Sequence, residues 1–223
     1  MLTRRAAAAG LLLAGCATTE PGPELLSFPA EDGVPVSGYG YGHGDRGLIL
    51  VPGGNGVGST WHPQAMRFAR AGFRVIAIDY RGLGRSHQLA LDDDKIHLDV
   101  MAAARRLRGE GAKSVSVIGA SAGAWYAGEA AIRGPRLIDR VVLLAGTIDT
   151  PEKLHGRKLF IVAEGDRAGD RRPRLEAIRR QYEVASEPKE LVVLPGAGHA
   201  QLIFLTTESE RLLAEITRFL SAG

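Results

Sequence analysis

A serine, a histidine and an acid can carry out acyl transfer when the histidine reaches the serine's proton and the acid orients the histidine. The chain offers these three residue types in a usable order. Ser121 sits in Gly119-Ala120-Ser121-Ala122-Gly123, a G-x-S-x-G string. The apolar residues Val115, Val117 and Ile118 precede it and an Ala-rich stretch follows, so the expected order is strand, sharp turn, helix. That context makes the string a nucleophile elbow, since a bare G-x-S-x-G arises by chance in Gly- and Ser-rich loops. A chain that swings from strand to helix within a residue or two strains its backbone at the serine. Neighbouring segments come close there, and only small residues fit at the flanking positions.

The acid and the base follow downstream, in the order this elbow requires. Leu159 to Ala163 is a buried-strand run that delivers Glu164-Gly165-Asp166. Leu191 to Leu194 is another, and it leads into Pro195-Gly196-Ala197-Gly198-His199. Asp149, which ends an earlier strand-like run from Leu137 to Leu144, is a rival acid; Glu164 and Asp170 are weaker ones. With these residues in place the chain resembles the α/β-hydrolase family from Leu25 to Leu220. The resemblance implies Ser121 as nucleophile, Asp166 as acid and His199 as base. It leaves Asp149 open, because some members carry the acid after the earlier strand.

The same resemblance assigns the oxyanion donors. Pro52-Gly53-Gly54-Asn55-Gly56 stands where the family usually has a His-Gly motif, and Pro52 replaces the histidine. Proline has no N–H, but Gly54 has one, and the donated hydrogen is a backbone hydrogen. Gly54 and Ala122, the residue after the nucleophile, are therefore the expected donors. Asp79-Tyr80-Arg81-Gly82-Leu83-Gly84-Arg85-Ser86 matches the family's D-x-R-G-x-G-x-S turn, in which Asp79 and Arg81 brace loops and do no chemistry. No P-loop string occurs, so the glycine-rich loop is not read as a phosphate cradle.

The elements that must position these residues read as one α/β domain. Leu48 to Val51 and Phe73 to Ile78 are uninterrupted apolar runs of the kind buried on both faces of a parallel sheet. Leu25 to Ala30 and Val34 to Tyr41 flank the turn residues Glu31-Asp32-Gly33 as an N-terminal antiparallel hairpin. Helices are expected from Ser59 or Thr60 to Arg70, from Ile96 to Arg108, from Arg172 to Tyr182, and from a Thr206 or Thr207 cap to Leu220. Trp61 suits core packing or a pocket wall equally. The fold class is thus an α/β-hydrolase fold, with a mostly parallel sheet of about eight strands, helices on both faces and no large cap. The stretch between Leu144 and Lys158 has room only for a short connection, which implies an open site.

Composition sets the outer bounds. The 223 residues, 45% of them hydrophobic, suffice for one good core. The net charge of +3 is small, and the basic clusters at Arg105-Arg106 and Arg171-Arg172 lie in helix-like segments, so no nucleic-acid partner is expected. Asp92-Asp93-Asp94 is not read as a metal site, because adjacent side chains diverge. The expected organisation is a signal peptide over 1–15, a tether over 16–24 and the hydrolase domain over 25–223. Arg4-Arg5 starts the leader, Ala6 to Ala14 is its short apolar core, and Leu13-Ala14-Gly15-Cys16 resembles a bacterial lipobox. Cys16, the only cysteine, is the expected lipid-attachment site, which implies export to the cell envelope and membrane contact through that lipid.

The expected function is a serine hydrolase that cleaves a small-molecule carboxylic ester or thioester through an acyl-enzyme, with no cofactor and no metal. An amidase or peptidase of the same fold is the first alternative. A non-catalytic exported binding protein is the second. Haloalkane dehalogenation is excluded, because it requires a carboxylate where Ser121 stands.

Overall fold

The computed structural model describes residues 22–54, 56–88 and 90–222. The expected leader, Cys16 and all but the last residues of the tether lie outside the described residues. Eight strands form one sheet: β1 (Glu24–Pro29), β2 (Pro35–Tyr41), β3 (Arg46–Val51), β4 (Phe73–Asp79), β5 (Ser114–Ala120), β6 (Arg140–Leu144), β7 (Arg157–Ala163) and β8 (Lys189–Leu194). Their spatial order is β1-β2-β4-β3-β5-β6-β7-β8. The hairpin pairs antiparallel, with Leu26 opposite Gly38, and β2 also runs antiparallel to β4. All other neighbours are parallel.

The apolar runs become strands because both faces of the sheet are covered. On one face α2 (Ile96–Gly109), α3 (Ala122–Arg133) and α4 (Arg174–Val184) pack Val100, Leu107, Ala127 and Ile178 against the sheet. On the other, α1 (His62–Arg70) and α5 (Ser209–Ser221) contribute Phe68, Leu212, Ile216 and Phe219. Trp61 is fully buried in this second core, with its ring 6.1 Å from that of Phe204, so it is a core residue.

The strand order reverses beside β3. The chain runs from β3 to β4 on one side, then crosses back to β5 on the other. Connections that leave in opposite directions open a crevice at the carboxyl ends of β3 and β5. The Pro52 loop follows β3 and Ser121 follows β5, so both flank that crevice.

Several boundaries differ from the sequence expectation: β6 starts at Arg140 and not at Leu137, and α4 runs Arg174–Val184 in place of Arg172 to Tyr182. Gly58–Trp61 forms a 3₁₀ segment, and α1 begins only at His62, with Pro63 in its first turn. Proline fits there because its missing N–H would have no helical partner, and the Thr60 hydroxyl donates to the Val57 carbonyl instead of capping. The last helix starts at Ser209 without a threonine cap, since the Thr206 hydroxyl donates to Ile203 and accepts from the Glu208 N–H. Residues Ala200–Leu205, to which the sequence assigns no element, form a further 3₁₀ segment.

The D-x-R-G-x-G-x-S turn is a clasp. The buried Asp79 carboxylate accepts from the Gly58 N–H at 2.6 Å and the Arg85 N–H at 2.9 Å. A Cβ at Gly84 would stand 2.4 Å from its carboxyl carbon, so only glycine fits there. Arg81 donates to Asp99 at 2.6 Å and to Asp32 at 2.7 Å, linking the turn to α2 and to the hairpin. The Arg81 guanidinium holds the Asp32 carboxyl below the usual carboxylate range.

Candidate active site

Ser121 adopts φ 52° and ψ −119°, a left-handed conformation unusual for a residue with a side chain. Its surroundings hold it there. The Ser121 N–H donates to the Leu144 carbonyl at 2.9 Å. A Cβ at Gly119 would lie 2.2 Å from the Gly123 carbonyl oxygen, and one at Gly123 would lie 2.4 Å from that of Pro52. One at Gly146 would lie 2.2 Å from the Ser121 carbonyl oxygen. Gly146 was not singled out in the sequence, because its contact is with a distant segment that the β5–β6 pairing brings near.

The three expected residues converge. His199 Nε2 lies 2.8 Å from Ser121 Oγ, and His199 Nδ1 lies 2.8 Å from Asp166 Oδ2. The Asp166 side chain is buried, while that of His199 remains 31% exposed and open to a reactant. A carboxylate on Nδ1 fixes the imidazole with its proton on that nitrogen, which leaves Nε2 able to accept the serine proton. Arg174 Nε stands 3.5 Å from the other Asp166 oxygen, and the Arg174 N–H donates to the Asp166 carbonyl at 3.0 Å. Arg174 was missed in the sequence, where a basic residue at the start of a helix gives no distinguishing signal.

The rival acids are elsewhere. Asp149 accepts from the Trp125 indole N–H at 3.0 Å. Asp170 is bound to Arg172 at 2.6 Å on the surface. Glu164 is exposed. Of the three consecutive aspartates, Asp92 pairs with Lys95 and Asp93 accepts from the Tyr126 hydroxyl at 2.6 Å. Among the described residues no group of three or more His, Cys, Asp and Glu side chains is arranged to hold a metal ion.

The expected oxyanion donors border the serine. Ala122 is the first residue of α3, so its N–H has no acceptor within the helix. A Cβ at Gly53 would stand 3.0 Å from the Ser121 Cβ, which places the Pro52 loop directly against the elbow. Gly54 has φ +46° and open space on its Cβ side. The Tyr80 hydroxyl donates to the Gly54 carbonyl and so fixes the loop from behind. Burial pushes the Tyr80 hydroxyl up to about 12, so it remains a donor through the neutral range. The Tyr126 ring, centred 5.3 Å away, backs it. A cavity of about 360 Å³ between β2 and α1, lined by Tyr41, His43, Met66 and Arg70 among others, does not include any of these residues.

Residues 48–176 match the model of the alpha/beta hydrolase fold family, more than half of the chain, and the protein belongs to that family. A putative non-heme bromoperoxidase, BpoC, from Mycobacterium tuberculosis is 33% identical over 129 residues, covering 56% of this chain and 46% of that protein. A 2-hydroxy-6-oxononadienedioate/2-hydroxy-6-oxononatrienedioate hydrolase from Burkholderia vietnamiensis is 29% identical over 116 residues, 50% of this chain and 40% of the relative. The chain thus spans less than half the length of these relatives. Among solved structures, the Pyrococcus furiosus esterase Pf2001 superposes with a TM-score of 0.71 at 21% identity, over 89% of this chain and 91% of the other. The dienelactone hydrolase from Anabaena variabilis gives 0.70 at 20% identity, over 89% and 97%. Likeness at this level of identity establishes the shared fold.

Proposed function

We propose that the protein is a serine hydrolase that cleaves a carboxylic ester or thioester through an acyl-enzyme. The observation that carries this reading is the double contact of one imidazole, 2.8 Å from Ser121 Oγ on one nitrogen and 2.8 Å from Asp166 Oδ2 on the other. In the first step His199 Nε2 takes the Ser121 proton as Oγ adds to the acyl carbon, while the Gly54 and Ala122 N–H groups receive the developing oxyanion. The tetrahedral intermediate then collapses. The bond from acyl carbon to alcohol oxygen breaks, its electron pair stays with that oxygen, and the proton on Nε2 passes to it. Water, deprotonated by the same nitrogen, adds to the acyl carbon; the bond to Ser121 Oγ then breaks, Oγ takes the proton back from Nε2, and the acid leaves.

The short connection between β6 and β7 supports an open site over an engulfing one. Only 145–156 separate these strands, with a single 3₁₀ turn at Pro151–Lys153 and no helical cap. Flexible or small acyl groups, or the ends of larger molecules, fit such a site better than a fully enclosed chain.

The decisive experiment combines a fluorophosphonate probe with ester turnover. Wild-type protein should be labelled at Ser121 and hydrolyse short-chain aryl esters, and Ser121→Ala should do neither. A wild-type protein that is neither labelled nor active would overturn the enzymatic reading in favour of a binding protein. Matched anilides run beside the esters separate amide from ester cleavage.

A further inference from the structure

The segment after His199 carries a feature that the reaction chemistry alone does not require. Among the described residues only five large apolar side chains are exposed, and two of them, Leu202 (57%) and Leu205 (81%), lie on the 3₁₀ segment Ala200–Leu205. Its other apolar residues face inward: Ala200, Ile203 and Phe204 are buried, and Phe204 meets Trp61 edge-on. His199 enters the segment in an extended conformation (φ −99°, ψ 124°) and Ala200 has φ 49°; in the turns that follow, three residues per turn put Leu202 and Leu205 on one side, at a rise of about 2 Å per residue. The Leu202 N–H donates to the His199 carbonyl at 2.9 Å, so this turn is closed directly onto the histidine. The Gln201 amide donates to the Thr60 hydroxyl at 3.2 Å and ties the segment to the 3₁₀ turn before α1.

The mechanism fixes which half of an ester must lie there. A general acid has to stand within hydrogen-bond reach of the atom that it protonates, and His199 Nε2 protonates the departing alcohol oxygen. The alcohol therefore leaves along the His199 side, whereas the acyl group stays on Ser121. We propose that Leu202 and Leu205 form the subsite for the leaving alcohol, and that this alcohol is apolar, an alkyl or aryl group. The inference rests on the esterase reading above. It explains why two leucines stay in contact with water on a segment whose other apolar residues are buried, since a bound alkyl group covers them.

The test varies the alcohol while the acyl group stays constant. Methyl, butyl and hexyl butyrate are compared by kcat/KM, which reports acylation and hence the leaving group. In the wild type the value should rise about tenfold from methyl to hexyl, the gain expected from partial burial of the added methylenes. In Leu202→Ser/Leu205→Ser the hexyl-to-methyl ratio should fall below about threefold. Val184→Ser, which changes an exposed apolar residue at the end of α4, should keep the wild-type ratio. A second measurement adds hexanol during turnover of phenyl butyrate and follows capture of the acyl-enzyme as hexyl butyrate. The double variant should show less capture relative to hydrolysis than the wild type. If the wild type hydrolyses esters but its alcohol preference is flat, or is unchanged in the double variant, the subsite is refuted and the esterase reading stands. Absence of both labelling and turnover in the wild type refutes the two together.

Discussion

The indole N–H of Trp125 donates to Asp149 Oδ2 across 3.0 Å, and this bond occupies the carboxylate that follows β6. Asp166, one strand later, is buried and faces His199 Nδ1. The two acids end neighbouring parallel strands, yet only one of them meets the imidazole. Asp149 is exposed and accepts from an indole, whereas the buried Asp166 carboxylate meets His199 and Arg174.

Exchange of the two acids for amides separates their roles. Asp166→Asn should lower kcat by about 10⁴-fold, because an amide at this position stabilises the wrong imidazole tautomer. Asp149→Asn should stay within about threefold of wild type, since the asparagine Oδ1 still accepts from the Trp125 indole N–H and the residue does not meet the imidazole. Steady-state kinetics on one aryl ester decides the matter, and equal losses in the two variants would contradict the assignment.

Tyr80→Phe removes the hydroxyl that anchors the Gly54 carbonyl but keeps the ring. If Gly54 donates to the oxyanion, a loosened loop weakens the transition state more than the ground state. The expected outcome is a fall in kcat of about tenfold with KM nearly unchanged, smaller than deletion of a donor itself. Affinity for an alkyl boronic acid should fall in parallel. A variant that unfolds more readily but keeps kcat would reduce Tyr80 to a packing role.

Gly146→Ala tests the closeness of the elbow. The new methyl would meet the Ser121 carbonyl oxygen at 2.2 Å and the Ala124 Cβ at 2.5 Å, both in rigid surroundings. The expected destabilisation is about 1–3 kcal/mol, the usual result of overpacking, and a drop in melting temperature of roughly 2–4 °C per kcal/mol follows for a chain of this size. Labelling of Ser121 by the fluorophosphonate should slow as well, because the strained turn shifts. Differential scanning calorimetry and labelling kinetics read the two effects separately.

His97 supplies a pH dependence of stability. It is nearly buried on α2, and burial, reinforced by Arg133 and Arg81, holds its pKa below the ordinary 6.5; Glu129 and a backbone hydrogen bond to Asp94 pull the other way. Below 6.5 the unfolded chain binds a proton that the folded protein resists, so stability rises with pH in that window. The contribution is fully present above 6.5 and is lost as pH falls through the lowered value. His97→Phe should flatten this part of the profile when urea midpoints are compared at about pH 7 and about pH 5. An unchanged slope would show that other groups carry it.

The strands and the relay were legible because each rests on local information. Leu48 to Val51 and Val115 to Ile118 have no polar alternation, and burial on both faces is the one environment that suits them. Ser121, Asp166 and His199 each follow such a run within a few residues, so strand order carried them to one end of the sheet. Arg174 and Gly146 act through contacts between distant segments, and nothing in their flanking residues announces those partners. The 3₁₀ segment Ala200–Leu205 was hidden for another reason. Its three buried apolar residues, Ala200, Ile203 and Phe204, and its two exposed ones, Leu202 and Leu205, span only two turns, a pattern too brief to separate from loop. The threonine caps failed because a hydroxyl within reach of a nearby carbonyl satisfied that group first.

Around Ser121 the chain presses main chain against main chain. Gly53, Gly119, Gly123 and Gly146 leave no space for even a methyl group. Leu202 and Leu205 stand at the opposite extreme, on the outside of a short turn beside the histidine, with little packed above them. Mutational drift is therefore free to rewrite the outer turn while the inner bend stays frozen. A lineage built on this architecture can change its diet without touching its teeth.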